Sequence, residues 1–139
     1  MKGEKGFTIL EMMFAIIIMA ILASIAVPNI ISWRTDSALS GDARIVKADF
    51  ERARSMAIKD HTDVTIEFTG AKTYTIDDHE SDLITRTLTG TSISGTTLTD
   101  DKTTFDSRGR ANNTGNVTLT NGSRNAKITV SMIGSVRIN

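Results

Sequence analysis

The chain has no cysteine among its 139 residues, which excludes disulfide staples and thiolate metal sites and leaves its redox compartment undetermined. It has no charge surplus either. Its 16 basic and 16 acidic residues give a formal net charge of +0, so no overall field favours nucleic acid or an acidic partner. No nucleophile–base pair or catalytic constellation stands out, and the only proline is Pro28. The most consequential absence is local: from Met12 to Trp33 there is no charged residue at all. A helix crossing a hydrocarbon core needs about 20 residues at roughly 1.5 Å each, so this run predicts that the chain sits in a membrane at some stage.

At the head of the run stands Glu11, four residues after Phe7, and no basic residue lies between Gly6 and Trp33. A lone charge at bilayer depth costs on the order of 2.5–3.5 kcal/mol, so its partner must come from outside the segment. Cutting the chain between Gly6 and Phe7 would create one, the new terminal ammonium of Phe7. That amine can belong to the same helix, about a turn away, or to an axially shifted neighbouring copy. Pairing between copies would turn a costly charge into a register pin for a stack of helices. Met1 to Gly6, with Lys2 and Lys5, also admits a secretory signal peptide or an uncleaved anchor. Against a signal peptide, the apolar run is longer than a usual h-region, carries Glu11 at its head and lacks a small-residue cleavage site before Trp33. Pro28 has no N–H for the carbonyl of Ser24, which costs about 3 kcal/mol in an ordinary helix interior. A kink or loosened turn is expected near Ser24 to Asn29.

Lys5-Gly6-Phe7-Thr8-Ile9-Leu10-Glu11, followed by the apolar run and Pro28, resembles the prepilin signature of type IV pilins and type II secretion pseudopilins. The resemblance implies that a membrane prepilin peptidase cuts between Gly6 and Phe7 and methylates the Phe7 amine. It implies that Phe7 and Glu11 serve assembly with other pilin or pseudopilin subunits, in a structural, non-enzymatic role that needs no cofactor. It places the chain as a single pass in the bacterial inner membrane, lysine-bearing head in the cytoplasm and soluble domain in the periplasm, before it joins a pilus or pseudopilus. The chain then divides into a leader peptide at 1–6, an apolar transmembrane and filament-core helix at 7–35, and a soluble domain at 36–139.

The helical pattern continues into water. Leu39, Ala43, Val46, Phe50, Ala53 and Ala57 recur at alternating spacings of four and three, an apolar stripe. Asp42, Arg44, Lys47, Asp49, Glu51, Arg52 and Arg54 fall between them, mostly on other faces. This predicts an amphipathic helix from about Asp36 to Lys59, continuous with the apolar one or restarted with Asp36 as cap. After Lys59 the period becomes strand-like. Asp63–Phe68 and Lys72–Asp77 read as a hairpin about Gly70-Ala71, and Leu83–Leu88 resumes the alternation. The Ser-, Thr- and Gly-rich stretch from Thr85 to Thr104 carries no pairing signal of its own. Weaker strands are expected at Thr103–Phe105 and Val117–Thr120. Lys127–Ser131 and Ser135–Ile138 form a closing hairpin about Met132-Ile133-Gly134. One long helix lying across an antiparallel sheet of six or so strands makes an α+β domain of the pilin type. The helix around Arg52–Ala57, the Phe105-Asp106-Ser107-Arg108-Gly109 turn and the terminal hairpin resemble the FimT and GspH group of minor pilins and pseudopilins.

Asp77-Asp78-His79-Glu80 with Asp82 invites a metal reading, but the spacing matches no EF-hand loop and such a run is usually a solvated turn. Three Asn-x-Ser/Thr sites, at Asn112, Asn116 and Asn121, read as turn residues. From Lys102 onward the only acid is Asp106, whereas Arg108, Arg110, Arg124 and Arg137 are basic. These four arginines are the candidate DNA-binding residues if the turn and the hairpin lie together. Some FimT-type pilins take up DNA through a Gly-Arg-x-Arg pattern, and this chain has Gly134-Ser135-Val136-Arg137 there, without the first arginine. The competing reading is a basic patch that meets an acidic patch on the next subunit.

Overall fold

The computed structural model describes residues 6–77 and 83–139. Its first element, α1, runs unbroken from Ile9 to Asp60. Pro28 lies inside it without ending it, and Asp36 does not restart it. Eight strands follow among the described residues: β1 (Val64–Glu67), β2 (Thr73–Asp77), β3 (Ile84–Thr87), β4 (Ser92–Thr96), β5 (Lys102–Phe105), β6 (Gly115–Thr120), β7 (Asn125–Val130) and β8 (Val136–Ile138). The chain separates into two units, Met1–Arg34 and Thr35–Asn139.

In the second unit the helical stripe is the floor of the core. Leu39, Ala43, Val46, Phe50, Ala53 and Ala57 are all buried, and they join Val64, Ile66, Tyr74, Ile76 and Phe105 and also Val117, Leu119, Ile128 and Val130 in one cluster. Phe50 centres it, with ring centroids 6.0 Å from Phe68 and 6.3 Å from Phe105.

The strands form two four-stranded antiparallel sheets, ordered β3-β2-β1-β5 and β4-β6-β7-β8, where the sequence predicts a single sheet of about six. The division arises in the stretch that carries no alternation. After β3 the chain crosses close over α1 at Gly90, where a Cβ would collide with the side chain of Ala38. The crossing is pinned by Asp42, whose Oδ2 accepts the Gly90 N–H at 3.1 Å and the Thr91 hydroxyl at 2.7 Å. The chain then enters the second sheet as β4, with a register shift between Ile93 and Gly95. A Gly-Thr pair that makes a polar tie to a helix looks like loop composition, and the sheet change leaves no periodic trace.

Two of the four aspartates of α1, Asp42 and Asp49, are buried together with the apolar stripe, 6% and 7% exposed. Asp49 Oδ2 accepts the Tyr74 hydroxyl at 2.6 Å and lies 3.4 Å from Arg86 Nε. Seven residues apart, the two carboxylates share one side of the helix and each finds donors on the strands or loops it covers. Buried charges persist when so satisfied. Burial, reinforced by the bond to Asp49, pushes the Tyr74 phenol well above its ordinary range, so it stays a hydrogen-bond donor.

Candidate assembly site

At the N-terminal site, Gly6, Phe7 and Thr8 precede the first helical residue and are exposed. Thr8 closes the helix start. Its hydroxyl accepts the Glu11 backbone N–H at 3.3 Å, and its carbonyl accepts that of Met12 at 3.2 Å. Thr8 is therefore the N-cap, and Thr8-x-x-Glu11 has the spacing of a capping box. The functional reading of Glu11 passed over this local signal, although Ser/Thr-x-x-Glu ahead of an apolar run is visible in the sequence. The Glu11 carboxylate has no hydrogen bond or ion pair among the described residues. A side chain added at Gly6 would meet no atom within 4 Å, so nothing in the fold requires glycine there.

From Met12 to Trp33, α1 is uncovered on every side. Its large apolar side chains from Ile9 to Trp33 range from 51% exposed at Ile17 to 84% at Ile9. Apolar residues all round a helix mark a buried or membrane-spanning segment, and this helix is long and apolar enough to span.

The four candidate arginines fall in three places. Arg108 and Arg110 share the turn after β5, which is closed by Asp106. Its Oδ1 accepts the N–H groups of Arg108 and Arg110 at 2.9 and 2.8 Å, and its Oδ2 accepts Arg110 Nε and Nη2 at 2.9 and 2.8 Å. The Arg110 N–H and guanidinium, with the Arg108 N–H, hold the Asp106 carboxyl below its usual range. This turn meets the β7–β8 turn: a Cβ on Gly134 (φ +76°) would strike the Gly109 carbonyl, to which Arg54 Nε donates at 3.0 Å. Arg137 lies on β8 opposite Thr129. Arg124 sits at the other end of β7, where Nη1 pairs with Asp36 Oδ2 at 3.0 Å and Asn121 Nδ2 donates to Asp36 Oδ1 at 3.0 Å. The terminal hairpin and the Asp106 turn do lie together. Arg124 lies at the end of β7 away from the Asp106 turn, roughly 20 Å along the strand at about 3.3 Å per residue, beside Ile138 and Asn139. Arg110 and Arg124 both face carboxylates. Of the metal reading, Asp78, His79, Glu80 and Asp82 lie outside the described residues.

The hydrogen bonds from Arg124 and Asn121 lower the Asp36 carboxyl below its ordinary value. A lowered folded pKa contributes stability that is full above the unfolded value, near about 4, and is lost as pH falls through the folded one. The melting-temperature difference between the native chain and Asp36→Asn is therefore expected at neutral pH and shrinks below about pH 4. Salt narrows it too, since the pair is exposed. A difference independent of pH would contradict this.

A family model described as Type II transport protein GspH matches residues 42–134, and one described as the prokaryotic N-terminal methylation motif matches residues 1–27. No curated protein sequence matches the chain. Among solved structures, the type IV minor pilin FimU of Pseudomonas aeruginosa is similar in two crystal forms. One matches with a TM-score of 0.58 at 14% identity, over 73% of this chain and 92% of that one. The other matches with a TM-score of 0.61 at 15% identity, over 75% and 90%. At that identity the likeness shows the fold, one long helix packed on antiparallel sheets. With its helix, its sheets and the prepilin-type head all in place, the chain belongs to the GspH family within the type IV pilins and type II secretion pseudopilins.

Proposed function

We propose that the chain is made as a prepilin, cut between Gly6 and Phe7 by prepilin peptidase, and built into a type IV pilus or type II secretion pseudopilus as a minor structural subunit. Residues 1–6 are the leader, 7–35 the transmembrane and later filament-core helix, and 36–139 the soluble domain. Before assembly the chain is held in the inner membrane with the soluble domain in the periplasm. After cleavage the Phe7 amine, methylated by the same enzyme, answers the Glu11 carboxylate of a neighbouring subunit and sets the register of the stack. The observation that carries this reading is the uncovered apolar helix headed by a carboxylate that has no partner among the described residues. Oil, first of lipid and then of neighbouring helices, is the environment that such a surface requires.

Thr8 keeps the helix start beyond the scissile bond, so Gly6–Phe7 lies in non-helical chain. Since a Cβ at Gly6 would meet no atom of the described residues, its glycine is assigned to the peptidase. Gly6→Val is expected to abolish cleavage while leaving the melting temperature of the soluble unit unchanged. A mass spectrum of that variant showing a terminus at Phe7 would contradict the assignment. Capture of DNA by Arg108, Arg110, Arg124 and Arg137 is the weaker reading, because two of the four guanidinium groups are spent on Asp106 and Asp36.

A further inference from the structure

Polar side chains are distributed unevenly along the exposed part of α1. From Met12 to Pro28 the only one is Ser24, and the helix itself answers its hydroxyl, which donates to the Ile21 carbonyl at 2.7 Å. From Asn29 to Arg34 they crowd together. Ser32 is answered in the same way, donating to the Pro28 carbonyl at 3.0 Å. The Asn29 amide, the Trp33 indole N–H and the Arg34 guanidinium have no hydrogen bond or ion pair among the described residues. Asn29 and Trp33, one turn apart, line the same hollow with Ala26 and Ile30, and Trp33 is 69% exposed.

This cluster has the dimensions of a membrane boundary. From Asn29 to Arg34 the helix rises roughly 7.5 Å at about 1.5 Å per residue. A bilayer of about 40–45 Å with a hydrocarbon core of about 30 Å leaves roughly 5–7.5 Å for each headgroup layer. Before the cluster, the helix from Ile9 to Pro28 rises roughly 30 Å, the thickness of the core. The chemistry fits as well. Tryptophan gathers at such boundaries because its ring is apolar while its N–H needs a partner, and a guanidinium matches phosphate with two parallel N–H···O bonds. Within hydrocarbon the three groups would stay unpaired, at a cost of about 1–3 kcal/mol each and more for the charge.

We propose that, before assembly, Asn29, Trp33 and Arg34 bind the phospholipid headgroups of the periplasmic leaflet. The Arg34 guanidinium donates to lipid phosphate, and the Trp33 N–H and the Asn29 amide donate to the ester carbonyls beneath it. The contact fixes the depth of the span. With Pro28 at the outer edge of the core, Glu11 lies two residues past Ile9, roughly 3 Å inside the opposite edge, so the anchor keeps that carboxylate in oil until the chain is drawn out. The anchor rests on the reading of residues 7–35 as a membrane-spanning segment.

Trp33 is the only tryptophan, so its fluorescence reports its own depth in the full-length chain. In vesicles of phosphatidylethanolamine and phosphatidylglycerol, lipids brominated at the top of the acyl chain are expected to quench it more strongly than lipids brominated at the chain end, or than aqueous iodide. Arg34→Glu, which repels phosphate, should shift the emission to longer wavelength, whereas Arg34→Lys should not. Neither variant should move the melting temperature of the soluble unit. Strongest quenching by the chain-end bromines or by iodide, or an emission unchanged in Arg34→Glu, overturns the anchor and, in a chain that still floats with the vesicles, leaves the span standing. A chain that neither floats with the vesicles nor enters the membrane fraction of its host overturns both.

Discussion

Glu11→Ala is expected to be cleaved between Gly6 and Phe7 as the native chain is expected to be, and then to fail to enter filaments. Before assembly the substitution removes a charge from an apolar segment and eases membrane residence by about 2.5–3.5 kcal/mol. In the assembled state it strands the Phe7 ammonium of a neighbour. Breaking a buried pair by removing one partner costs about 3–5 kcal/mol, and every ~1.4 kcal/mol is tenfold. Both effects favour the membrane over the filament, so incorporation should fall by on the order of a hundredfold or more. Quantifying the mature chain in sheared filaments against the membrane fraction checks this. Normal incorporation of the alanine variant would dismiss the register pin, even if cleavage proceeds as described.

Phe50→Ala is expected to remove about 3–5 kcal/mol from the soluble unit. Its ring is fully buried and joins Phe68 to Phe105 across the face of α1 that the first sheet covers. A small domain holds only about 5–15 kcal/mol in total, so thermal melts of the full chain in detergent should show a drop well above about 10 °C. The loss is specific to the soluble unit, and cleavage between Gly6 and Phe7 should persist in the destabilised variant. A melting temperature within a degree or two of the native one would mean that Phe50 is not the centre of the core.

These two residues mark what was legible in the sequence. Phe50 belongs to a stripe at spacings of four and three, and every member of it is buried, because a helix lying on a sheet leaves a 3.6-residue imprint. The strands that flank tight turns, β1 with β2 and β7 with β8, show the alternation of a half-buried sheet. The change of sheets at Gly90 left no such imprint, since it depends on a close approach to Ala38 and on two donors to Asp42, both far away in sequence. The burial of Asp42 and Asp49 was not legible, because charge is normally a surface signal and their partners at Gly90, Thr91, Tyr74 and Arg86 are far away in sequence. Arg110 and Arg124 counted toward a basic surface until Asp106 and Asp36 were found beside them. At the N-terminal site Glu11 stands out by its charge, and Gly6 and Phe7 by their resemblance to the prepilin signature. The missed member, Thr8, works through backbone hydrogen bonds that the apolar pattern does not display.

The most direct test is the mass of the N-terminal peptide of the protein recovered from filaments of its native host. The account predicts a peptide that starts at Phe7 and carries one added methyl group on its amine. Recovery of assembled, working protein that still carries Met1 to Gly6 would contradict it, because the ammonium that Glu11 requires would never have been made.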